Sequence, residues 1–270
     1  MADTVIFKKS SFSNRLVSML KVDFRRMLRS KLFYILIACA LTVPILITVM
    51  MTMMDGSVSI DPQTGVETVM QGPENAWQSI GTLPTGGEAM GGMDVMAMCN
   101  INMMFMGVSV FVCLFISEDF RSGFAKNLFT VRAKKSDYVI SKILAGFVCG
   151  NLMLVAYFIG AMLGGAVSGL SFELVGVTYG NIIMCILAKI LLMFVFVSID
   201  VLVSAAAKQR AWLALCGSLG AGMLLFMMVS AITPLESTVI NVLLCLAGGA
   251  LFAFGLGGIT KIVLIKTSLL

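Results

Sequence analysis

The sequence predicts an all-α integral membrane protein with six transmembrane helices and both termini in the cytoplasm. Of its 270 residues, 59% are hydrophobic and 12% are charged, with a mean hydropathy of +1.01. This is more apolar surface than the core of a water-soluble domain of this length can enclose. Six largely uncharged runs and a one-sided distribution of basic residues complete the case.

The six apolar runs define the predicted spans, because a helix needs about 20 mainly apolar residues to cross the hydrocarbon core. They lie at residues 32–54, 95–117, 141–165, 177–205, 211–233 and 238–260, within a transmembrane domain of residues 32–266. Residues 1–31 are then a cytoplasmic amino-terminal segment. Residues 55–94 form an extracytoplasmic loop, and residues 118–140 form a cytoplasmic loop.

Orientation follows from the positions of Lys and Arg, because basic residues that flank a span remain on the cytoplasmic side. All of them except Lys189 precede span one, follow span six, or lie in the loops after spans two and four, with Lys142 at the very start of span three. The opposite loops are acidic and contain Asp55, Asp61, Glu67, Glu74, Glu88, Asp94, Glu173 and Glu236. This acidity either attracts cationic solutes or is what remains when basic residues are excluded from that side.

The segment before span one has apolar residues at helical spacing and basic residues on the other side. The apolar positions are Leu16, Met19, Leu20, Phe24, Met27 and Leu28. This pattern predicts an amphipathic helix at the membrane interface. The alternative is that the basic residues only flank the span.

Residue types that support catalysis or metal binding are scarce. The chain has no histidine, and it has neither a GxxxxGK[ST] phosphate loop nor a GxSxG nucleophile motif. Its cysteines occur singly, without the paired spacing of a metal site. We therefore expect no catalytic residue, no metal site and no cofactor in this chain, and no nucleic-acid partner.

Two ionisable residues, Lys189 and Asp200, lie within the fourth predicted span. Charges inside a span are costly and are candidates for function by default. At ~1.5 Å rise per residue they are about 16 Å apart, too far for a direct ion pair. They are either part of a translocation path, or a lysine that reaches the interface and an aspartate solvated at the inner side.

The loop after span two reads SEDFRSGFAKNLFTVRAKKSDYVISK, residues 117–142. Phe120, Phe124 and Leu128 recur at every fourth position, which predicts a short amphipathic helix. Such a helix needs a surface to dock on, either another protein or the membrane and the inner ends of the spans.

This loop, together with the approach KVDFRRMLRSK at residues 21–31, resembles the permeases of ABC-2-type transporters. The resemblance implies that the loop forms a coupling helix in a cleft of a separate ATP-binding subunit. It assigns coupling to Glu118, Arg121, Gly123, Phe124, Lys126, Asn127 and Arg132, with Tyr138 and Lys142 as support. Phe124 stands where threonine is common, and Val131 to Lys134 replace a proline-containing turn, so the loop's geometry departs from the pattern.

The resemblance implies a permease subunit of an ATP-driven exporter in the inner (cytoplasmic) membrane. Two permeases, identical or related, would pair with two ATPase subunits that bind ATP and Mg²⁺. The cargo would be a peptide, such as an antimicrobial peptide, or a hydrophobic drug or lipid. The rivals are an ATPase-independent secondary transporter or channel, and an intramembrane Ser/Lys hydrolase that uses Lys189.

Overall fold

Long helices make up most of the structure, a computed structural model that describes residues 12–60, 67–69, 72–73, 75–81, 100–130, 134–174 and 176–266. The α-helices in these ranges are α1 (Phe12–Arg29), α2 (Lys31–Met53), α3 (Met103–Arg121), α4 (Phe124–Thr130), α5 (Lys135–Val167), α6 (Tyr179–Ala207), α7 (Ala211–Ile232) and α8 (Val239–Lys266). Strands β1 (Val58–Ile60) and β2 (Glu67–Val69) pair antiparallel, and Ala76–Ser79 form one 3₁₀ turn.

Six of these helices, α2, α3 and α5–α8, are long and apolar enough to cross a membrane. The predicted count of six is therefore confirmed for the described residues. Leu, Met and Ala are frequent in these segments and favour helix. Pro44 lies inside α2, where the Thr48 hydroxyl donates to the Pro44 carbonyl at 2.8 Å.

The helices fall into an inner and an outer group. In the most apolar window of α3, α5 and α6, 56–61% of residues are buried in the protein, against 11–22% for α2, α7 and α8. Phe105 of α3 stacks on Phe196 of α6 with ring centroids 4.7 Å apart in the buried centre. The outer helices expose large apolar side chains such as Leu224 and Phe254, as expected of surfaces that meet lipid.

Small residues allow α5 to pack closely on α2. A Cβ added at Gly160 would lie 2.2 Å from the Leu41 carbonyl oxygen, and one at Gly164 would lie 3.0 Å from the Ile45 Cα. Because no side chain fits there, these glycines serve a contact within the chain.

The bundle has two chemically distinct ends. At the basic end, where Arg26, Arg121, Lys134, Arg210 and Lys266 lie, α3, α6 and α8 finish and α5 begins. Contacts tie these termini together: Lys135 Nζ donates to the Leu264 carbonyl at 2.6 Å, and Gln209 Nε2 donates to the Phe120 carbonyl at 3.5 Å.

At the acidic end lie Asp55, Glu173 and Glu236, and the 3₁₀ turn packs over the connection between α5 and α6. Asn75 Nδ2 donates to the Glu173 carbonyl at 2.6 Å, and Trp77 Nε1 donates to the Phe172 carbonyl at 3.0 Å. Residues 75–81 thus form a fixed cap on this end. Asp61, Glu74, Glu88 and Asp94 of the predicted outer loop lie outside the described residues.

The predicted stripe of Phe120, Phe124 and Leu128 does not lie on one helix. Phe120 belongs to α3, whereas Phe124 and Leu128 belong to α4. Gly123 separates the two helices with a φ of +75°, a left-handed conformation that favours glycine. The four-residue spacing therefore bridges a break in the helix, which periodicity alone cannot reveal.

Candidate functional site

A buried cluster of charged side chains joins α1, α3 and α5 at the basic end. Lys142 of α5 lies between two carboxylates, with its Nζ 2.7 Å from Asp23 Oδ1 of α1 and 2.7 Å from Asp119 Oδ2 of α3. All three side chains are at most 2% exposed. We call these residues, together with Arg26, Tyr138 and Ser141, the ion cluster.

The other members of the ion cluster also contact its two carboxylates. Arg26 Nη1 lies 2.5 Å from Asp119 Oδ1, and Tyr138 donates to Asp119 Oδ2 at 3.0 Å. Ser141 donates to Asp23 Oδ2 at 2.5 Å. Two cations therefore balance two carboxylates, which is the condition under which buried charges are tolerated.

Helix α4 rests on this cluster through aromatic side chains. The Arg26 guanidinium carbon lies 4.3 Å from the centroid of Phe124, and the Phe129 ring packs edge-on against Tyr138 at 5.3 Å. Ala125 is fully buried between them along the helix. The inner face of α4 thus contacts two residues that themselves bind Asp119.

The opposite face of α4 is exposed and polar. Lys126, Asn127 and Thr130 point away from the bundle, and the Thr130 hydroxyl donates to the Asn127 carbonyl at 2.8 Å. A seven-residue helix with a packed inner face and a polar outer face offers a small, rigid surface to another molecule.

Glu118 and Arg121 lie elsewhere, at the end of α3. Both are exposed and line a cleft of about 390 Å³, whose wall also includes Arg26 and Gln209. The predicted coupling residues therefore divide between the outer face of α4 and this cleft. Gly123 forms the break between them, Phe124 faces inward, and Arg132 lies outside the described residues.

Lys189 is enclosed by polar groups of neighbouring helix ends and is 1% exposed. Its Nζ donates to Asn102 Oδ1 at 2.6 Å, to Thr233 Oγ1 at 2.9 Å and to the Thr233 carbonyl at 3.4 Å. A lysine that extends to the membrane interface would expose its Nζ, whereas the Nζ of Lys189 donates to Asn102 and Thr233 inside the bundle. No described carboxylate forms an ion pair with it.

Asp200 is also 1% exposed and lies among hydroxyl groups of α3 and α7. The hydroxyls of Ser109 and Ser218 lie close to it, whereas its Oδ2 and the nearby Ser204 Oγ have no hydrogen-bond partner. Within the described part of the chain no cation pairs with Asp200. It is therefore a buried carboxyl group rather than one solvated at the inner interface, and it does not contact Lys189.

Sequence reasoning named Tyr138 and Lys142 but missed Asp23, Arg26, Asp119 and Ser141. Asp23 is the single acidic residue on the apolar side of α1, between Leu20 and Phe24, and this position was the available signal. Asp119 and Arg26 carried no comparable signal, because their partners are about 20 and 90 residues away. No group of three side chains suited to a metal ion occurs among the residues searched.

Comparison with known proteins gives one result that bears on this geometry. A family model described as "ABC-2 family transporter protein" matches residues 19–219, which include α1 from Met19 onward, the ion cluster, α4 and the buried residues of α6. No curated protein and no solved structure matches the chain. Since the match covers well over half of the sequence, this multi-pass membrane chain belongs to the ABC-2 transporter family.

Proposed function

We propose that the chain is the permease subunit of an ATP-driven exporter, and that a separate ATPase docks on the outer face of α4. The observation that carries this proposal is the mounting of α4 on the ion cluster. Phe124 and Phe129 rest on Arg26 and Tyr138, and both of these bind Asp119. A force applied to α4 would therefore reach α1, α3 and α5 together.

The proposed topology places the basic end in the cytoplasm, with both termini inside. The connections at that end contain Arg121, Lys126, Lys134, Lys208 and Arg210, whereas the acidic end has Asp55, Glu173 and Glu236. Basic residues are retained on the cytoplasmic side during insertion. With the permease in the inner (cytoplasmic) membrane, the outer face of α4 would then be accessible to an ATPase in the cytoplasm.

In the proposed assembly, two permeases, identical or related, combine with two ATPase subunits that supply the ATP and Mg²⁺ sites. Family membership supports an ATPase partner in general. Closure of the ATPase pair would displace α4 and shift the inner helices as a body, in the manner of a rigid-body switch. The proposed cargo is a peptide, such as an antimicrobial peptide, or a hydrophobic drug or lipid.

The first test is purification of the tagged full-length chain from its native membrane. We expect a second chain with a GxxxxGK[ST] loop and magnesium-dependent ATP hydrolysis to copurify. We propose that the ATPase surface opposite Lys126 is acidic, so Lys126→Glu with Asn127→Asp should reduce its recovery at least about tenfold, which corresponds to about 1.4 kcal/mol. Lys266→Glu, an exposed basic residue at the far end of α8, is the matched control.

The second arm separates docking from coupling. Charge reversal at Glu118 together with Arg121, which line the cleft beside α4, should leave insertion intact while ATP hydrolysis no longer drives export. Equal ATPase recovery from all variants would contradict the docking assignment. Unchanged export in the double reversal would contradict the coupling assignment.

Lys189 and Asp200 are the observation that favours a second candidate function, an ATPase-independent secondary transporter or channel. Each is a buried ionisable group within α6 without an ion-pair partner among the described side chains. Such groups mark ion or substrate pathways in other transporters. Transport by the purified chain in liposomes without any ATPase, abolished by Asp200→Asn, would favour this candidate.

A further inference from the structure

A half-open apolar groove follows the outer surface between α5, α6 and α8. Its volume is about 440 Å³, and Ile140, Ile143, Leu191 and Phe194 form its inner wall. Phe254 stands at the rim with 84% of its side chain exposed. The groove therefore opens toward the surroundings of the bundle and not toward its core.

Most of the α8 side of the groove is made of small residues, and Leu246, Phe254 and Lys261 are the larger ones. Gly249, Ala250, Ala253 and Gly257 follow one another along that face of the helix. A Cβ at Gly257 would meet Ile143 Cδ1 at 3.5 Å, so the space beside this glycine lies within the groove. The small residues of α8 leave space opposite Ile140 and Ile143 of α5, and the cavity exists for that reason.

One end of the groove is basic, because Lys261 and Ser136 line it. Lys135, the residue before Ser136, donates from Nζ to the carbonyl of Leu264, about one turn beyond Lys261 on α8, at 2.6 Å. No acidic residue lines the groove. The adjacent carboxylate, Asp137, is already paired with Arg15 at 2.9 Å. The charge at this end is therefore complementary to an anion.

We propose that the groove binds an anionic glycerophospholipid, with one acyl chain along α8 and the headgroup phosphate at Lys261 and Ser136. From Leu246 to Lys261 the groove extends about 22 Å along the helix, compared with ~15 Å for half of the hydrocarbon core. It can thus accept the full depth of one leaflet. A basic recess between helices at the membrane surface suits such headgroups.

The size of the groove argues against a helix of another chain as the occupant. A helix about 10 Å across and 22 Å long fills roughly 1,700 Å³, so a recess of about 440 Å³ can enclose only a small part of it. A single acyl chain is the narrower object that fits, and its ester and phosphate oxygens would lie beside the lysine and serine.

Native mass spectrometry of the purified full-length chain tests the proposal. Phosphatidylglycerol and phosphatidylcholine with the same acyl chains are the two probes. We expect phosphatidylglycerol to bind at about fivefold lower concentration, and Lys261→Gln to remove this preference. Gly257→Leu should lower the binding of both lipids by filling the groove.

Matched controls keep the test specific. Gly255→Leu changes a glycine of α8 outside the groove, and Arg210→Gln removes an exposed charge from another turn of the basic end; both should bind as the native chain does. Gly258→Leu, whose Cβ meets nothing within 4 Å, is the second groove-filling variant if Gly257→Leu fails to give a monodisperse gel-filtration peak. Native binding by both groove-filling variants, or an equal loss in Gly255→Leu, would overturn the proposal.

Discussion

The ion cluster at the basic end and the two ionisable residues of α6 represent opposite treatments of buried charge. In the cluster, Lys142 and Arg26 balance Asp23 and Asp119 at distances of 2.5–2.7 Å. In α6, Lys189 donates to the neutral groups of Asn102 and Thr233, Asp200 lies beside neutral hydroxyls, and neither has an ion-pair partner among the described residues.

This difference separates positions that stabilise the bundle from positions that are costly to keep. A balanced buried network holds three helices in one arrangement, and removal of one partner leaves an uncompensated charge. A buried ionisable group without an opposite charge does not stabilise the bundle in this way, so its presence suggests a role other than folding. We therefore propose that the cluster serves structure and force transmission, and that Lys189 and Asp200 serve the transported solute or ion.

Lys142→Met should have the largest effect on stability. It leaves Asp23 and Asp119 buried without their shared cation, and we expect a loss of about 3–5 kcal/mol in the free energy of unfolding. Thermal unfolding of the purified chain in detergent measures this loss. Lys261→Met, the same replacement at an exposed lysine, should change the melting temperature little. Equal melting of the two variants would show that the cluster does not hold the helices.

The matched pair Asp119→Asn and Asp200→Asn compares the two regions directly. Asp119→Asn removes the charge that holds Arg26 and Lys142, so a loss of roughly 2–4 kcal/mol is expected. Asp200→Asn keeps a polar side chain of the same shape beside Ser109 and Ser218 and replaces a buried ionisable group that has no cationic partner among the described residues, so stability should stay within about 1 kcal/mol or rise. The same thermal assay applies. A larger loss for Asp200→Asn would reverse the comparison.

Phe124→Leu should have the smallest effect on folding and a clear effect on coupling. It removes the aromatic face over Arg26, a contact worth about 0.5–1 kcal/mol, while keeping apolar volume. We expect near-native melting with reduced ATP-driven export by the reconstituted complex. Val22→Leu, a conservative change at an exposed position of α1, is the control. Native export by Phe124→Leu would separate α4 from the transmission route.

Much of this architecture was predictable because membrane insertion leaves strong local signals. The run of apolar residues in α6 and the basic residues beside it specify a span by composition alone. The prediction of two separate intramembrane charges was likewise local, since eleven residues of helix fix the distance between Lys189 and Asp200. Neither conclusion needs knowledge of how the helices pack.

The ion cluster and the groove could not be predicted, because both arise from contacts between distant segments. Asp23 and Lys142 are 119 residues apart in sequence, and the residues around each of them do not indicate that the two form a pair. The break at Gly123 was hidden because a spacing of four residues persisted across it. The orientation of Phe124 toward Arg26 follows from that break, so it too needed the structure.

The brevity of α4 has one further consequence. Seven residues are too few to form a lasting helix in water on their own, since nucleation outweighs so few hydrogen bonds. Phe124, Ala125 and Phe129 supply the missing order by anchoring the segment to its neighbours. A partner that meets α4 finds it already folded and loses little conformational entropy on binding, so even a footprint of three or four polar side chains can be recognised.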